Sequence, residues 1–183
     1  MTKKSLGNVT VKRLKVKHHE LGHVFTLVDS DLFASLNGLP WQCERRKGKV
    51  VSIQRLEPTK DGKRKNIKLS RQIMNAPQGV EVDHINRDPL DNRRENLRLA
   101  TRSQNNTNRD VCGKSGYKGV YLIDYKNKTN PWLACLWRGN KRSYLGVFKT
   151  KEEAAAAYNR AAIKEFGEFA CLNKLPLPPA LRA

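Results

Sequence analysis

Residues 81–109 read EVDHINRDPLDNRRENLRLATRSQNNTNR, and the order of elements in this stretch decides how the chain is organised. Val80 to Ile85 contains apolar residues at strand spacing and includes the pair Asp83-His84. The next residues, Asn86 to Arg94, are polar and turn-rich. Leu97-Arg98-Leu99 alternates as a second short strand, and Thr101 or Ser103 can cap a short polar helix that contains Asn105. The predicted order is strand, loop, strand, helix. Neighbouring strand residues face opposite sides, so Asp83 and His84 can serve one phosphate only if extended geometry breaks at His84. The following Asn-Arg-Asp-Pro supplies a reason for such a break.

His84, Asn96 and Asn105 recur at intervals of twelve and nine residues, with the turn Asp91-Asn92-Arg93-Arg94-Glu95 between the first two. With Asp83 in front, the pattern resembles the HNH nuclease motif, whose last position is His or Asn. Here that position is Asn105, with Asn106 the nearest rival. The resemblance implies a ββα-metal core that hydrolyses phosphodiester bonds. Such a reaction needs a water deprotonated near neutral pH, charge stabilised on the phosphoryl oxygens, and a neutralised leaving oxygen. A neutral imidazole of ordinary pKa about 6.5 suits the first task, which the resemblance gives to His84. A hard divalent cation suits the other two. Asp83 and the amide oxygen of Asn105 would be its protein ligands, with Mg²⁺ expected and Mn²⁺ as the alternative. Asn96 would orient the loop that carries His84.

The chain has 183 residues and a net charge of +19, from 36 Lys+Arg against 17 Asp+Glu. That imbalance implies an acidic polymer as partner, with a membrane surface as the competing explanation. No apolar run approaches the roughly 20 residues that span a bilayer, and the Lys3-Lys4 start lacks the apolar core of a signal peptide. A cytoplasmic protein is expected, in the host cytoplasm if the chain is phage-encoded. Residues 1–75 carry 17 basic and 6 acidic side chains, residues 76–112 carry 6 of each, and residues 113–183 carry 13 and 5. The motif segment is thus neutral between two basic flanks. Cys43, Cys112, Cys135 and Cys171 are too widely spaced for a zinc site, so reduced thiols and no structural zinc are expected.

Residues 1–20 read as a basic segment, solvated or facing phosphate, and the cluster of His18, His19 and His23 is by itself a weak metal signal. Val24 to Val28 reads as a strand, followed by a short helix to Leu36 capped by Asp29 or Ser30. Trp41 to Cys43, Val50 to Arg55 and Ile67 to Leu69 read as further strands, and a helix from Ser70 must end near Asn75 because of Pro77. This β-rich lead-in is similar to that of phage-type HNH proteins. Its Arg45-Arg46-Lys47 and Lys63-Arg64-Lys65 runs suit phosphate contacts, with a nuclear-import signal as the runner-up.

After a linker-like stretch, Gly116 to Val120, Trp132 to Trp137 and Tyr144 to Phe148 read as three antiparallel strands. Thr150 and Glu153 form a capping box before an Ala-rich helix from Lys151 to Phe166, ended by Gly167. Helix and sheet would cover one sheet face and leave the other free. Tyr-Lys-Gly-Val, Trp-Leu-Ala, Tyr-Leu-Gly-Val-Phe-Lys-Thr and Glu-Glu-Ala-Ala make this module resemble the ethylene-response-factor (apetala-two) DNA-binding domain. In that family the free sheet face enters the major groove. Carried over by position, the DNA-facing residues would be Lys118, Tyr121, Tyr125, Trp137, Arg142 and Tyr144. Tyr121 and Trp137 stand where plant members often have arginine, so fewer bidentate guanine contacts are available and the plant target sequence does not transfer.

The expected chain is therefore α+β. A basic lead-in spans residues 1–75, a nuclease core 76–110, a linker 111–116, a DNA-binding domain 117–175 and a tail 176–183. The expected function is a metal-dependent homing-type endonuclease that acts on double-stranded DNA, with its site read by the C-terminal module; the sequence leaves the oligomeric state open, a monomer being favoured. The alternative is a non-catalytic DNA-binding regulator with an inactive HNH segment.

Overall fold

The basic start of the chain forms a strand, β1 (Val11–His18), where the sequence suggested only a charged segment. Its VKRLKVKH alternates with period two: Leu14, Val16 and His18 are buried while Arg13, Lys15 and Lys17 are exposed. The lysines and arginine mask that alternation in any average of hydropathy. A computed structural model of the chain describes residues 10–109, 113–123 and 129–176. They form a mixed α+β protein divided into two compact units, Met1–Arg102 and Ser103–Ala183.

In the first unit, β1 pairs along its full length with β2 (Gly22–Asp29), and His18 Nδ1 accepts from the backbone N–H groups of Glu20 and Leu21 in the connecting turn. β3 (Gln42–Arg46), β4 (Lys49–Pro58) and β5 (Arg64–Lys68) complete a sheet of order β2-β1-β3-β4-β5, antiparallel except for the short β1–β3 contact. Helices α1 (Ser30–Leu36) and α2 (Leu69–Ile73) supply Leu36 and Leu69 to the core, where they meet Leu14, Val16, Val28, Trp41 and Ile53. Fully burying each such aliphatic side chain stabilises the unit by about 1.5–3 kcal/mol. The Trp41 indole N–H satisfies the Leu36 carbonyl at 3.0 Å, which closes the end of α1 onto the core.

Asp29 stands at the N-cap of α1 but makes no capping bond with its side chain. Its Oδ2 instead accepts from the backbone N–H of Arg94 at 3.0 Å, so this carboxylate ties the loop after His84 to the end of β2. The Arg71 guanidinium donates to the carbonyls of Ala76, Pro77 and Val80 and so fixes the chain as it enters β6 (Glu81–His84). β6 pairs antiparallel with β7 (Leu97–Ala100), and α3 (Arg102–Thr107) follows. The element order is the predicted strand, loop, strand, helix.

In the second unit, β8 (Val120–Leu122), β9 (Trp132–Arg138) and β10 (Lys141–Phe148) make an antiparallel sheet of order β10-β9-β8. α4 (Lys151–Phe166) begins with the Thr150–Glu153 capping box and ends at Gly167, whose φ of 54° favours glycine. Ala154, Ala155, Ala157, Tyr158 and Ala162 are its buried residues, and with Val120, Ala134 and Leu136 of the sheet they form the core of this unit. Gly119 shows how close the layers are. Its φ is +71°, and a Cβ there would run into the Tyr158 ring and the Cys135 carbonyl.

Candidate active site and nucleic-acid interface

Strand β6 ends at His84, and the backbone turns at once: the Arg87 N–H donates to the His84 carbonyl at 2.9 Å, and Arg87 has a positive φ of 67°. The break in extended geometry that Asp83 and His84 require falls at this point. From here to Asn96 the chain is organised by its own polar side chains. Asn86 Oδ1 accepts from the Asp88 N–H at 2.8 Å, Asp88 Oδ1 from the Leu90 N–H at 2.9 Å, and Asp91 Oδ2 from Asn86 Nδ2 at 2.9 Å. Arg93 forks onto both oxygens of Asp91 at 2.7 Å, and this guanidinium holds the Asp91 carboxyl below the usual carboxylate range.

Asn96 is buried and closes the loop. Its Oδ1 accepts from the Asn86 N–H at 3.0 Å, and its Nδ2 donates to Asn86 Oδ1 at 2.9 Å and to the Asp91 carbonyl at 2.8 Å. Its own carbonyl accepts from the Ile85 N–H at 2.8 Å. Both strands of the hairpin are thus tied together beside His84.

The loop is also tied to the five-stranded sheet. The Leu27 N–H donates to the Leu90 carbonyl at 2.8 Å and the Asn92 N–H to the Leu27 carbonyl at 2.9 Å, so residues 90–92 run along the edge of β2. Thr26, fully buried, donates through Oγ1 to the Leu90 carbonyl at 2.7 Å. The same Oγ1 accepts from Asn92 Nδ2 at 2.9 Å, and Asn92 Nδ2 also donates to the Pro89 carbonyl at 2.9 Å. With both of these acceptors on Nδ2, the amide oxygen of Asn92 is turned to His84 Nε2, 3.2 Å away. An amide oxygen only accepts, so Nε2 carries the ring proton and Nδ1 carries the lone pair. Burial lowers the His84 pKa below its ordinary value and outweighs the Asn92 bond, which acts in the opposite direction. The imidazole is accordingly neutral at physiological pH.

Asp83, buried and cross-strand from Arg98, accepts from the Arg98 Nε and Nη2 through one oxygen, Oδ2, at 2.8 and 2.7 Å. A cation at Asp83 has to share the carboxylate with this guanidinium or displace it. Among the described residues no group of three or more His, Cys, Asp or Glu side chains is placed to hold a metal. A carboxylate and an amide oxygen are each of the ligand type that a hard cation accepts. Asn105 is half-buried on α3, within the second unit.

On the second unit, strand alternation and register put Tyr121, Trp137, Arg142 and Tyr144 on the sheet face away from α4. Tyr121, Trp137 and Tyr144 are 44, 50 and 65% exposed, which is unusual for side chains of this size. Arg142 lies across Trp137, 6.0 Å from its ring centre, and donates through Nε to the buried Cys135 Sγ at 3.1 Å. Lys118 is used differently. Its ammonium donates to the carbonyls of Thr107 and Arg109 at 2.6 and 2.7 Å, and its backbone is clasped by Asn173. Tyr125 lies outside the described residues.

The HNH endonuclease family model matches residues 75–107. This segment is an HNH endonuclease match. An uncharacterised HNH endonuclease of Acanthamoeba polyphaga mimivirus is 37% identical over 99 residues, which cover 54% of this chain and 50% of that protein. The C-terminal region is similar to plant regulators of the AP2 type. An ethylene-responsive transcription factor of Arabidopsis thaliana is 44% identical over 63 residues, 33% of this chain and 14% of that protein. An APETALA2-like protein of Oryza sativa is 42% identical over 59 residues, 32% of this chain and 13% of that protein. The chain thus spans half or less of the length of these relatives. No solved structure matches it significantly.

Of the HNH positions read from the sequence, the structure brings His84 and Asn96 together around one loop and sets Asp83 beside them on β6. Asn92 and Thr26 were missed. Asn92 is one of several asparagines in a turn-rich run, and its partner Thr26 is 66 residues away, so no local pattern singles it out. No helix among the described residues is long and apolar enough to cross a membrane.

Proposed function

We propose that the chain is a metal-dependent DNA endonuclease of the homing type, in which the HNH segment cuts and the C-terminal sheet reads the site. The observation that carries this reading is the Thr26–Asn92–His84 chain of hydrogen bonds, which presents a half-buried neutral imidazole with its proton on Nε2. A dead scaffold has no use for a base held in one tautomer.

In this reading Nδ1 of His84 takes the proton from the attacking water, and Asn92 Oδ1 stabilises the imidazolium that forms by accepting from Nε2–H. Asn96 keeps the loop closed so that His84 does not drift from the scissile phosphate. Asp83 would be a protein ligand of a divalent cation, Mg²⁺ being the expected ion, with Asn105 the second ligand that the resemblance implies. That cation, when bound, neutralises charge on the phosphoryl and leaving oxygens. Arg98, which donates to Asp83 Oδ2, would share that carboxylate with the cation. Tyr121, Trp137, Arg142 and Tyr144 face double-stranded DNA, with aromatic packing and one guanidinium fork in place of several arginines. Lys118 contributes only if it gives up its carbonyl partners.

Supercoiled plasmid incubated with the protein and Mg²⁺, and in parallel with EDTA, tests this. Metal-dependent conversion to nicked or linear DNA is expected. Binding without cutting in both arms means that the chain is a regulator with an inert HNH segment.

A further inference from the structure

The face of the five-stranded sheet opposite α1 and α2 bears a row of cations. Arg13, Lys15 and Lys17 occupy alternate positions of β1, about 6.6–6.8 Å apart along the strand, and all three are exposed. Across the ladder they oppose Leu27, Phe25 and His23 of β2. The Arg13 guanidinium lies 4.4 Å from the centre of the Phe25 ring, and His23 meets the same ring edge-on at 5.5 Å. No carboxylate pairs with Arg13, Lys15 or Lys17 among the described residues. Glu44, which register puts on this face, is bonded by Ser52 and Arg46, and Glu20 in the β1–β2 turn is bonded by Arg45. The exposed Lys68 of β5 extends the positive charge across the sheet.

Cations with no carboxylate partner among the described residues are held at fixed spacing along a strand, an arrangement that suits a partner with regularly placed negative charges. We propose that this face grips the phosphate backbone of duplex DNA and gives the nuclease unit a sequence-independent hold of its own, separate from the C-terminal sheet. Phe25 is 39% exposed and flanked by Arg13 and His23; an anionic lipid surface is the competing partner that the vesicle arm of the test below excludes. The edge of β2 carries residues 90–92, which ties the row of cations and the His84 loop into one unit. The choice of DNA rests on the nuclease reading.

The test uses the full chain with Arg13, Lys15 and Lys17 all changed to Gln. These are exposed positions, and a thermal melt matching the parent establishes that the variant is folded; Lys15→Glu alone serves as a second, milder variant. Binding to a labelled duplex of arbitrary sequence is followed in EDTA across a range of salt. Each phosphate contact contributes about 0.9 to the log–log slope. The triple variant should therefore lose about 2–3 from the slope and about 10–100-fold in affinity at low salt, and Lys15→Glu should lose part of this. Unchanged slope and affinity overturn the proposal, as does a loss seen only with duplex RNA or anionic vesicles. Plasmid cutting by the unaltered protein is measured alongside. If it persists while the slope is unchanged, the grip is wrong and the nuclease reading stands; if the plasmid stays intact with metal, it is the nuclease reading that fails.

Discussion

Between Asn86 and Asn96 the chain is held by side-chain amides and carboxylates, with Asp91, Asn92 and Asn96 buried. The second unit is held by alanines: Ala134 of the sheet and Ala154, Ala155, Ala157 and Ala162 of the helix bring two layers into close contact. A buried polar group is costly unless it is bonded, and the HNH loop carries three within eleven residues, where an apolar loop would be simpler to stabilise. That cost is explained if the bonds define where His84 sits and which of its nitrogens is basic. The alanine layers define no single side chain. They keep a sheet flat against a helix so that its other face presents Tyr121, Trp137, Arg142 and Tyr144 as a surface. One region is built to position an atom and the other to present an area, and substitutions in each should fail in different ways.

The largest expected effect is on the atom. In the proposed mechanism His84→Ala removes the general base and no phosphate contact, so cleavage of plasmid should fall by about 10²–10⁴-fold while the mobility-shift affinity for DNA stays within a factor of two or so. A variant that cuts at near the parent rate would show that His84 is not the base.

Next is the contact between layers. Gly119→Ala puts a methyl group into the Tyr158 ring and the Cys135 carbonyl at a positive φ. Overpacking costs about 1–3 kcal/mol and the left-handed backbone about 1–2. The second unit should thus lose roughly 2–5 kcal/mol in denaturant unfolding followed by hydrogen exchange of β8–β10, with the amides of β1–β5 unaffected. If both units weaken together, they do not unfold independently and the contrast drawn above is too sharp.

The contrast also governs what the sequence discloses. The signals for α4 are local: Thr150 and Glu153 lie three residues apart and Gly167 follows the last turn, so the helix was legible to the residue. The spacing of His84 and Asn96 was equally local, and these two residues flank one loop, while Asn105, the last position of the motif, lies on α3. The strand β1 was not legible, because only Leu14 and Val16 mark its buried face and charged residues surround them. Asp29 or Ser30 was read as the helix cap; Asp29 does stand at the N-cap, but its side chain accepts from the Arg94 N–H instead of capping the helix. The same limit hid Asn92 and Thr26. Their roles are created by the docking of residues 90–92 on the edge of β2, a contact that no window of sequence contains.

A smaller effect should separate the base from its support. The Asn92 bond raises the His84 pKa and burial lowers it, burial being the larger. An imidazolium cannot accept a proton, so activity should be full above the His84 pKa and lost as pH falls through it, with the acid limb below the ordinary value of about 6.5. Asn92→Leu preserves the bulk beside His84 and removes the largest of the influences that raise its pKa, leaving those of Asp83, Asp88 and Asp91. Its acid limb should move further down, and its plateau rate should drop about tenfold because the tautomer is no longer fixed. A limb that moves up would mean that water has entered and that Asn92 serves mainly to fill space.

The smallest effect belongs to Thr26, which touches neither His84 nor DNA in this reading and acts only through Asn92. Its hydroxyl accepts from Asn92 Nδ2 and donates to the Leu90 carbonyl. Thr26→Val is nearly isosteric, fits the strand and deletes both bonds. Leaving buried partners unsatisfied costs about 1–3 kcal/mol, so the first unit should lose stability by that amount. The cleavage rate should fall only a few-fold, because Pro89 still accepts from Asn92 Nδ2 and limits how far the amide can turn. Thr26→Ser retains the hydroxyl and should recover most of the rate, even though loss of the methyl group leaves it less stable than the parent. The decisive comparison is therefore rate against stability for the two variants. If Ser and Val are slowed equally at temperatures where both are folded, the hydroxyl does not transmit position to His84, and the loop is held by its backbone bonds to β2 alone.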